Sequence, residues 1–162
     1  MDGPLRPGEI AGVEPERTDA TLIFIGRIRT PFHSREDCPR QGSTGGPICR
    51  IEIDEPWHQA MQGLGTHPRL EILYWMDKAR RDLLVQAPRN GRDPAGTFAL
   101  RSRMRPNPIA TSVVTLVALE DGALLVRGLD CLDGTPLLDI KPCHEVTAPI
   151  SSCKTASISM VV

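Results

Sequence analysis

The stretch IATSVVTLVALEDGALLVRGLD, Ile109 to Asp130, holds two runs of β-branched and aliphatic residues separated by Glu120, Asp121 and Gly122. Val, Ile and Thr suit a pleated surface and Asp-Gly suits a tight turn, so the pattern predicts two antiparallel strands joined as a hairpin. Similar signals recur on either side. TLIFIGRIRT, Thr21 to Thr30, is β-branched and aromatic and ends at Pro31, and ICRIEID, Ile48 to Asp54, alternates apolar with polar. LEILYWMD, Leu70 to Asp77, is a nearly continuous apolar run that suits a strand buried on both faces, with DLLVQAP pairing beside it. TFALRSRM, Thr97 to Met104, adds a further strand candidate. A helix is predicted only after Asp54, an N-cap residue type, where Trp57, Ala60, Met61 and Leu64 share one helical face before Gly63 and Gly65 stop it. Many short strands with one short helix predict a mainly β chain, folded as a small closed antiparallel β-barrel. Parallel α/β folds are disfavoured because long helices do not alternate with the strands.

Composition narrows the reading further. The chain has 162 residues, enough for one domain with its own core. Fifteen Pro and fourteen Gly favour turns over long helices. Residues 1–18 lack apolar periodicity and read as a flexible lead-in, residues 19–142 as the barrel domain, and residues 143–162 as a C-terminal tail. The sequence contains neither a run of about 20 apolar residues nor a signal-like start, so a soluble, cytoplasmic protein without a membrane partner is expected. Five scattered cysteines have no CxxC spacing and read as reduced thiols; Cys143, His144 and Cys153 cluster but lack a fourth ligand, so no metal site is expected.

Charge is uneven. Between Arg69 and Arg105 nine basic residues face four acids, although the chain as a whole carries −1. A basic middle on an acidic body suits a ligand bearing phosphate or carboxylate at one face. In FALRSRMRPNPI, Arg101, Arg103 and Arg105 alternate and would share a strand face, while Asn107 stands on a turn stiffened by two prolines. GLDCLDGTPLLDIKP, Gly128 to Pro142, places Asp130, Asp133, Asp139 and Lys141 in otherwise apolar surroundings, where charges need partners or a function. Pro39, Arg40 and Gln41 sit in a long loop, and Arg40 has the planar fork that grips carboxylate or phosphate. Neither GxGxxG nor GxxxxGK[ST] occurs, so a nucleotide-like cofactor would be held by other means.

Taken in order, PRQ, LEILYWMD, FALRSRMRPNPI and GLDCLDGTPLLDIKP resemble the family of tRNA (N6-threonylcarbamoyladenosine-37) N6-methyltransferases, with the likeness running from about Thr21 to Pro142. The resemblance implies a β-barrel methyltransferase that forms a homodimer and binds S-adenosylmethionine near the subunit contact. It implies cofactor contacts at Pro39, Arg40, Gln41, Asp77, Lys78, Arg101, Thr111, Leu129, Asp130, Cys131 and Leu132, and a tRNA substrate; Arg103 and Arg105 by their charge, and Asn107 by its rigid turn, are the candidates to meet that substrate. Three features depart from the family pattern. Asp77 and Lys78 replace a His-Gln pair, Cys143 follows DIKP where an aromatic is usual, and the tail stands where longer members carry a further domain.

Methyl transfer from a sulfonium is an in-line displacement, in which holding donor and acceptor aligned supplies about 7–11 kcal/mol. The ureido-like N6 of the modified base is a poor nucleophile, and a nearby proton acceptor adds roughly 10²–10⁴-fold. Asp139 is the first candidate and Asp77 the second, with Lys141, Arg103 or Arg105 as the partner for the threonyl carboxylate or a flanking phosphate. The alternative is a barrel that binds S-adenosylmethionine as a sensor, or acts on a small molecule, without methylating tRNA.

Overall fold

The computed structural model describes residues 4–12, 21–87 and 93–143. Among these residues nine strands form: β1 (Ile10–Ala11), β2 (Gly26–Arg29), β3 (Ile48–Ile53), β4 (Arg69–Trp75), β5 (Leu83–Gln86), β6 (Ala95–Gly96), β7 (Ile109–Glu120), β8 (Ala123–Arg127) and β9 (Thr135–Pro142). Six of them close an antiparallel barrel in the order β2-β3-β8-β7-β4-β9, and β1-β5-β6 make a separate small sheet.

Period-two alternation sets the inside of the barrel. Cys49, Ile51 and Ile53 of β3 point inward between Arg50 and Glu52, and Ile28 of β2 does so between Arg27 and Arg29. Leu70, Ile72, Tyr74, Val114, Leu124, Val126, Leu129, Cys131 and Leu137 complete the core. An eight-stranded barrel is only just filled by its side chains, so a six-stranded one is solid core and a ligand must bind at its ends or outer wall. On the outside of β2 and β3, Arg29 bonds Glu52 at 2.8 Å, and Arg50 of β3 pairs with Glu120 at the far end of β7. The outer face of β7 is instead exposed and apolar, with Ile109, Val113 and Val117.

The predicted hairpin forms with β7 ending at Glu120 and β8 beginning at Ala123. Gly122 takes φ +67°, and a Cβ there would stand 2.6 Å from the His58 ring, so glycine is required twice over. Four expectations need correction. The helix after Asp54 forms as 3₁₀ turns, Glu55–Met61 and Leu64–Thr66, without a side-chain cap from Asp54; Pro56 and the left-handed Gly63 keep it short. LEILYWMD is buried on one face only, because Glu71, Leu73 and Trp75 lie on the half-exposed outer wall. DLLVQAP pairs with β1 and β6 instead of β4, whose two edges are already taken by β7 and β9. TFALRSRM is not a strand: Thr97–Ala99 form a 3₁₀ turn, and the following segment is fastened by side-chain hydrogen bonds in place of a ladder.

Smaller differences concern the N-terminal half. Of TLIFIGRIRT only Gly26–Arg29 joins the ladder, leaving Leu22, Ile23 and Phe24 exposed. Within the expected lead-in, Ile10 and Ala11 pair with Val85 and Leu83, while residues 13–18 lie outside the described residues. Of the expected tail, residues 144–162, with His144 and Cys153, also lie outside them.

The two faces of β4 make a direct comparison. Ile72→Ala should cost about 2–5 kcal/mol in urea unfolding and Leu73→Ala less than about 1 kcal/mol, whereas equal costs would contradict a one-sided β4.

Candidate functional site

Antiparallel order places three connections at one end of the barrel: 30–47 after β2, 76–108 after β4 and 128–134 after β8. The hairpin turn and the first two 3₁₀ segments, Glu55–Met61 and Leu64–Thr66, lie at the opposite end, beside a shallow open groove of about 530 Å³ lined by Gly65 to Pro68 and Leu116 to Leu119. The end with the three connections therefore gathers PRQ, Asp77-Lys78, the arginine segment and Asp130, which are far apart in sequence.

Asp130 stands where they meet. Its Oδ1 accepts the Tyr74 hydroxyl at 2.7 Å and its Oδ2 accepts the Gly42 amide at 3.2 Å, while the single Ser112 hydroxyl proton lies between the Tyr74 oxygen at 2.9 Å and Oδ1 at 3.3 Å. One small network thus ties β4, β7 and the long loop together at this carboxylate. Gly42 is required for this contact, since a Cβ there would fall 1.7 Å from the Gly128 carbonyl oxygen. Other bonds hold the same loop. Arg35 Nη2 donates to the Lys78 carbonyl at 2.6 Å, Asp133 N–H to the Phe32 carbonyl at 2.8 Å, and Arg127 to the Gly46 carbonyl. Asp133 Oδ1 also accepts the Thr30 amide at 3.1 Å, so it is more than a solvated turn charge.

Electrostatics follow from burial. Tyr74 is 2% exposed, and burial followed by the Asp130 charge pushes its phenol well above the ordinary value of 10.0. Burial pushes the Cys131 thiol up to about 12. The Cys38 thiol is raised by burial first and then by the Asp130 charge.

The predicted residues divide by position. Pro39, Arg40, Gln41, Asp77, Lys78, Arg101 and Asn107 are exposed on the loops of this end. Leu129 and Cys131 put their side chains into the core, so only their main chain faces a ligand, and the Cys131 carbonyl already accepts Thr30 Oγ1 at 2.9 Å. Leu132 is half-buried. Arg105 does not share a strand face with Arg101 and Arg103; its Nη1 donates to the carbonyls of Leu100 at 2.7 Å and Thr97 at 3.3 Å, and its guanidinium lies 5.7 Å from the Phe98 ring centre. Thr111 points outward and donates to Glu71 Oε1 at 2.9 Å. Asp139, opposite Leu73 on the same outer wall, is held by Lys141 Nζ and the Ile140 amide. Sequence reasoning missed Tyr74 and Ser112. A lone tyrosine inside an apolar strand needs a partner for its hydroxyl, and that was the available signal for Tyr74.

A family model described as the tRNA-methyltransferase O N-terminal domain matches residues 27–147. The chain belongs to the tRNA-methyltransferase O family. It is 50% identical over 147 residues to the probable S-adenosyl-L-methionine-binding protein VirR of Rhizobium radiobacter, covering 91% of this chain and 84% of that protein. An S-adenosyl-L-methionine-binding protein of Archaeoglobus fulgidus is 39% identical over 72% of this chain and 84% of its own length. The crystal structure of TrmO from Pseudomonas aeruginosa superposes with a TM-score of 0.68 at 31% identity, covering 88% of this chain. This chain spans 62% of that solved one. Membership of this methyltransferase family agrees with the closed barrel, whose connections carry most of the candidate residues, with Thr111, Asp139 and Lys141 on the strands β7 and β9.

Tyr74 is the sole tyrosine, which makes its titration readable by ultraviolet difference absorbance. Because its folded pKa lies above the unfolded value, its stabilising contribution is complete below pH 10.0 and declines as pH rises beyond that. Tyrosinate absorbance should appear only as the protein unfolds in alkali, and Tyr74→Phe should lower stability by about 1–3 kcal/mol at neutral pH by taking one donor from Asp130. A phenol titrating near 10.0 in the folded protein would contradict the burial and hydrogen bonding described.

Proposed function

We propose that the chain binds S-adenosylmethionine at the end of the barrel where residues 38–42, 77–78, 101–103 and 129–132 converge, and uses it to methylate N6 of threonylcarbamoyladenosine in tRNA. The observation that carries this reading is the Asp130 junction, which holds the PRQ loop against Gly128 and the 129–132 main chain. The residues present fit the chemistry of the cofactor. Its amino-acid carboxylate suits Arg40, Lys78 or Arg101, all exposed on this end, and its ammonium suits the exposed Asp77. Leu132 offers half-buried apolar surface, and the filled barrel beneath Leu129 and Cys131 gives the site a rigid floor.

When bound, the cofactor supplies an electrophilic methyl group. The protein's work is then alignment of donor and acceptor and removal of one proton from the acceptor nitrogen. Two carboxylates compete for that proton: Asp139, held by Lys141 on the outer wall, and Asp77, exposed on the loop after β4, which serves as base only where main-chain carbonyls of residues 129–132 meet the ammonium instead. Arg103, on the segment after β6 at this end, suits the threonyl carboxylate or a flanking phosphate, with Asn107 on the neighbouring turn. Arg105 closes its own loop and supports that segment. A homodimer belongs to the reading as the resemblance implies it, and Ile109, Val113 and Val117 give β7 an exposed apolar strip beside Thr111 for a second copy to cover. A cytoplasmic setting goes with a tRNA substrate; among the described residues no helix is long and apolar enough to cross a membrane.

A second reading, cofactor binding without tRNA methylation, is favoured by the charge pair Asp77-Lys78, which replaces the family's His-Gln in this sequence. One experiment separates the two. Labelled methyl transfer from S-adenosylmethionine to tRNA with and without the threonylcarbamoyl group is measured beside cofactor calorimetry on the wild type and Arg101→Ala. Micromolar binding that weakens tenfold or more but stays measurable in the variant, with label entering only the modified tRNA, is the expected result. Binding without transfer would overturn the tRNA assignment and leave the second reading, and no binding by the wild type would overturn both.

A further inference from the structure

The insert between β4 and β7 contains a buried polar knot that the barrel does not use. Gln86, the last residue of β5, is 2% exposed, and Thr97 is 3% exposed. Gln86 Nε2 lies 2.7 Å from the Met104 carbonyl oxygen and 2.9 Å from Thr97 Oγ1, and Thr97 Oγ1 lies 2.6 Å from the Leu83 carbonyl oxygen. Chemistry fixes which way the amide faces. A carbonyl only accepts, so the nitrogen must face Met104. The single Thr97 hydroxyl proton goes to Leu83, so that hydroxyl must accept from Gln86. Both amide protons therefore go to the segment that follows β6.

That segment is closed on itself. Arg105 bonds back to the carbonyls of Thr97 and Leu100, so residues 97–105 form a loop fastened to β5 through Gln86 at Thr97 and at Met104. Arg101 and Arg103 ride between those two fasteners. Residues 100–105 have no strand ladder, so side-chain bonds of this kind fix their course. A buried amide that donates both protons to the segment holds it from β5. The segment's far side is tied to the start of the same connection, by Arg81 Nε to the Pro106 carbonyl at 2.7 Å and Met76 N–H to the Pro108 carbonyl at 2.9 Å.

We propose that Gln86 is a positioning residue that sets where Arg101 and Arg103 stand at the candidate site, acting through Met104 and Thr97 and touching no ligand itself. Its effect on the cofactor rests on the reading of Arg101 given above. The test uses Gln86→Met, close in length but without donors, and Thr97→Val, which weakens the same knot from its other side if the first variant folds poorly. In the ligand-free protein, amide hydrogen exchange over residues 100–105 should quicken about tenfold while β4 and β7 stay protected, because the knot lies outside the barrel. In calorimetry Gln86→Met should weaken S-adenosylmethionine binding about tenfold, and Gln86→Met with Arg101→Ala should bind no more weakly than Arg101→Ala alone, the mark of two residues acting through one contact. Unchanged exchange over 100–105 would overturn the proposal, as would independent, additive losses of affinity. If Arg101→Ala binds like the wild type, or the wild type does not bind, the cofactor reading fails instead, and the exchange data alone decide whether Gln86 holds the segment.

Discussion

Asp130 accepts hydrogen bonds from Tyr74 on β4 and from the Gly42 amide of the long loop, and Ser112 on β7 joins them through the Tyr74 hydroxyl at 2.9 Å and the carboxylate at 3.3 Å. Polar groups taken out of water need such partners. Here the partners come from places far apart in sequence, so satisfying this network brings two barrel strands and a surface loop together. The glycine at position 42 is the geometric condition for this, because the loop lies directly on the Gly128 carbonyl. Loops of this length are ordinarily mobile, and this one is also pinned through Phe32, Arg35 and Gly46. A filled, narrow barrel supplies the rigid base, and chemistry is left to the connections at one end.

The outer wall divides by charge. Across β2, β3 and the end of β7, Arg29, Glu52, Arg50 and Glu120 form a ladder of exposed ion pairs, each of small net value. Exposed Ile109, Val113 and Val117 line β7, with Thr111 bonded to Glu71 among them. Such a division gives the barrel one face suited to water and one suited to another protein surface. The basic insert belongs to neither face. Its arginines are distributed among distinct tasks: Arg81 lies 5.5 Å from the Trp75 ring centre and bonds Pro106, Arg105 closes its loop, and Arg101 remains exposed.

The barrel was legible because its strands obey period two over long runs. Ile109–Glu120 and Ile48–Ile53 come out where alternation and the Asp-Gly turn put them. Reading failed where a partner outside the segment decides the conformation. FALRSRM has strand-like alternation, but Gln86 and Arg105 satisfy its carbonyls from outside any ladder. LEILYWMD looks buried on both faces because Leu73 and Trp75 are apolar, yet they belong to the outer wall. At the site, motif position drew attention to Asp130 and Gly42's neighbours, whereas Ser112 was hidden by the adjacent Thr111; period two sends Thr111 outward and Ser112 toward Tyr74. Gln86 gave no signal at all, since a single glutamine in a short strand is ordinarily a surface residue.

The central claim, that the end of the barrel organised by Asp130 receives the cofactor, is tested most directly by amide chemical-shift mapping as S-adenosylmethionine is titrated into isotopically labelled protein. The account predicts the largest shifts at Gln41, Gly42, Lys78, Arg101 and Asp130 to Leu132, with little change at Arg29, Arg50 and the hairpin turn at Asp121-Gly122. Shifts centred instead on the groove at Gly65 to Pro68, or no shifts at saturating cofactor, would contradict it.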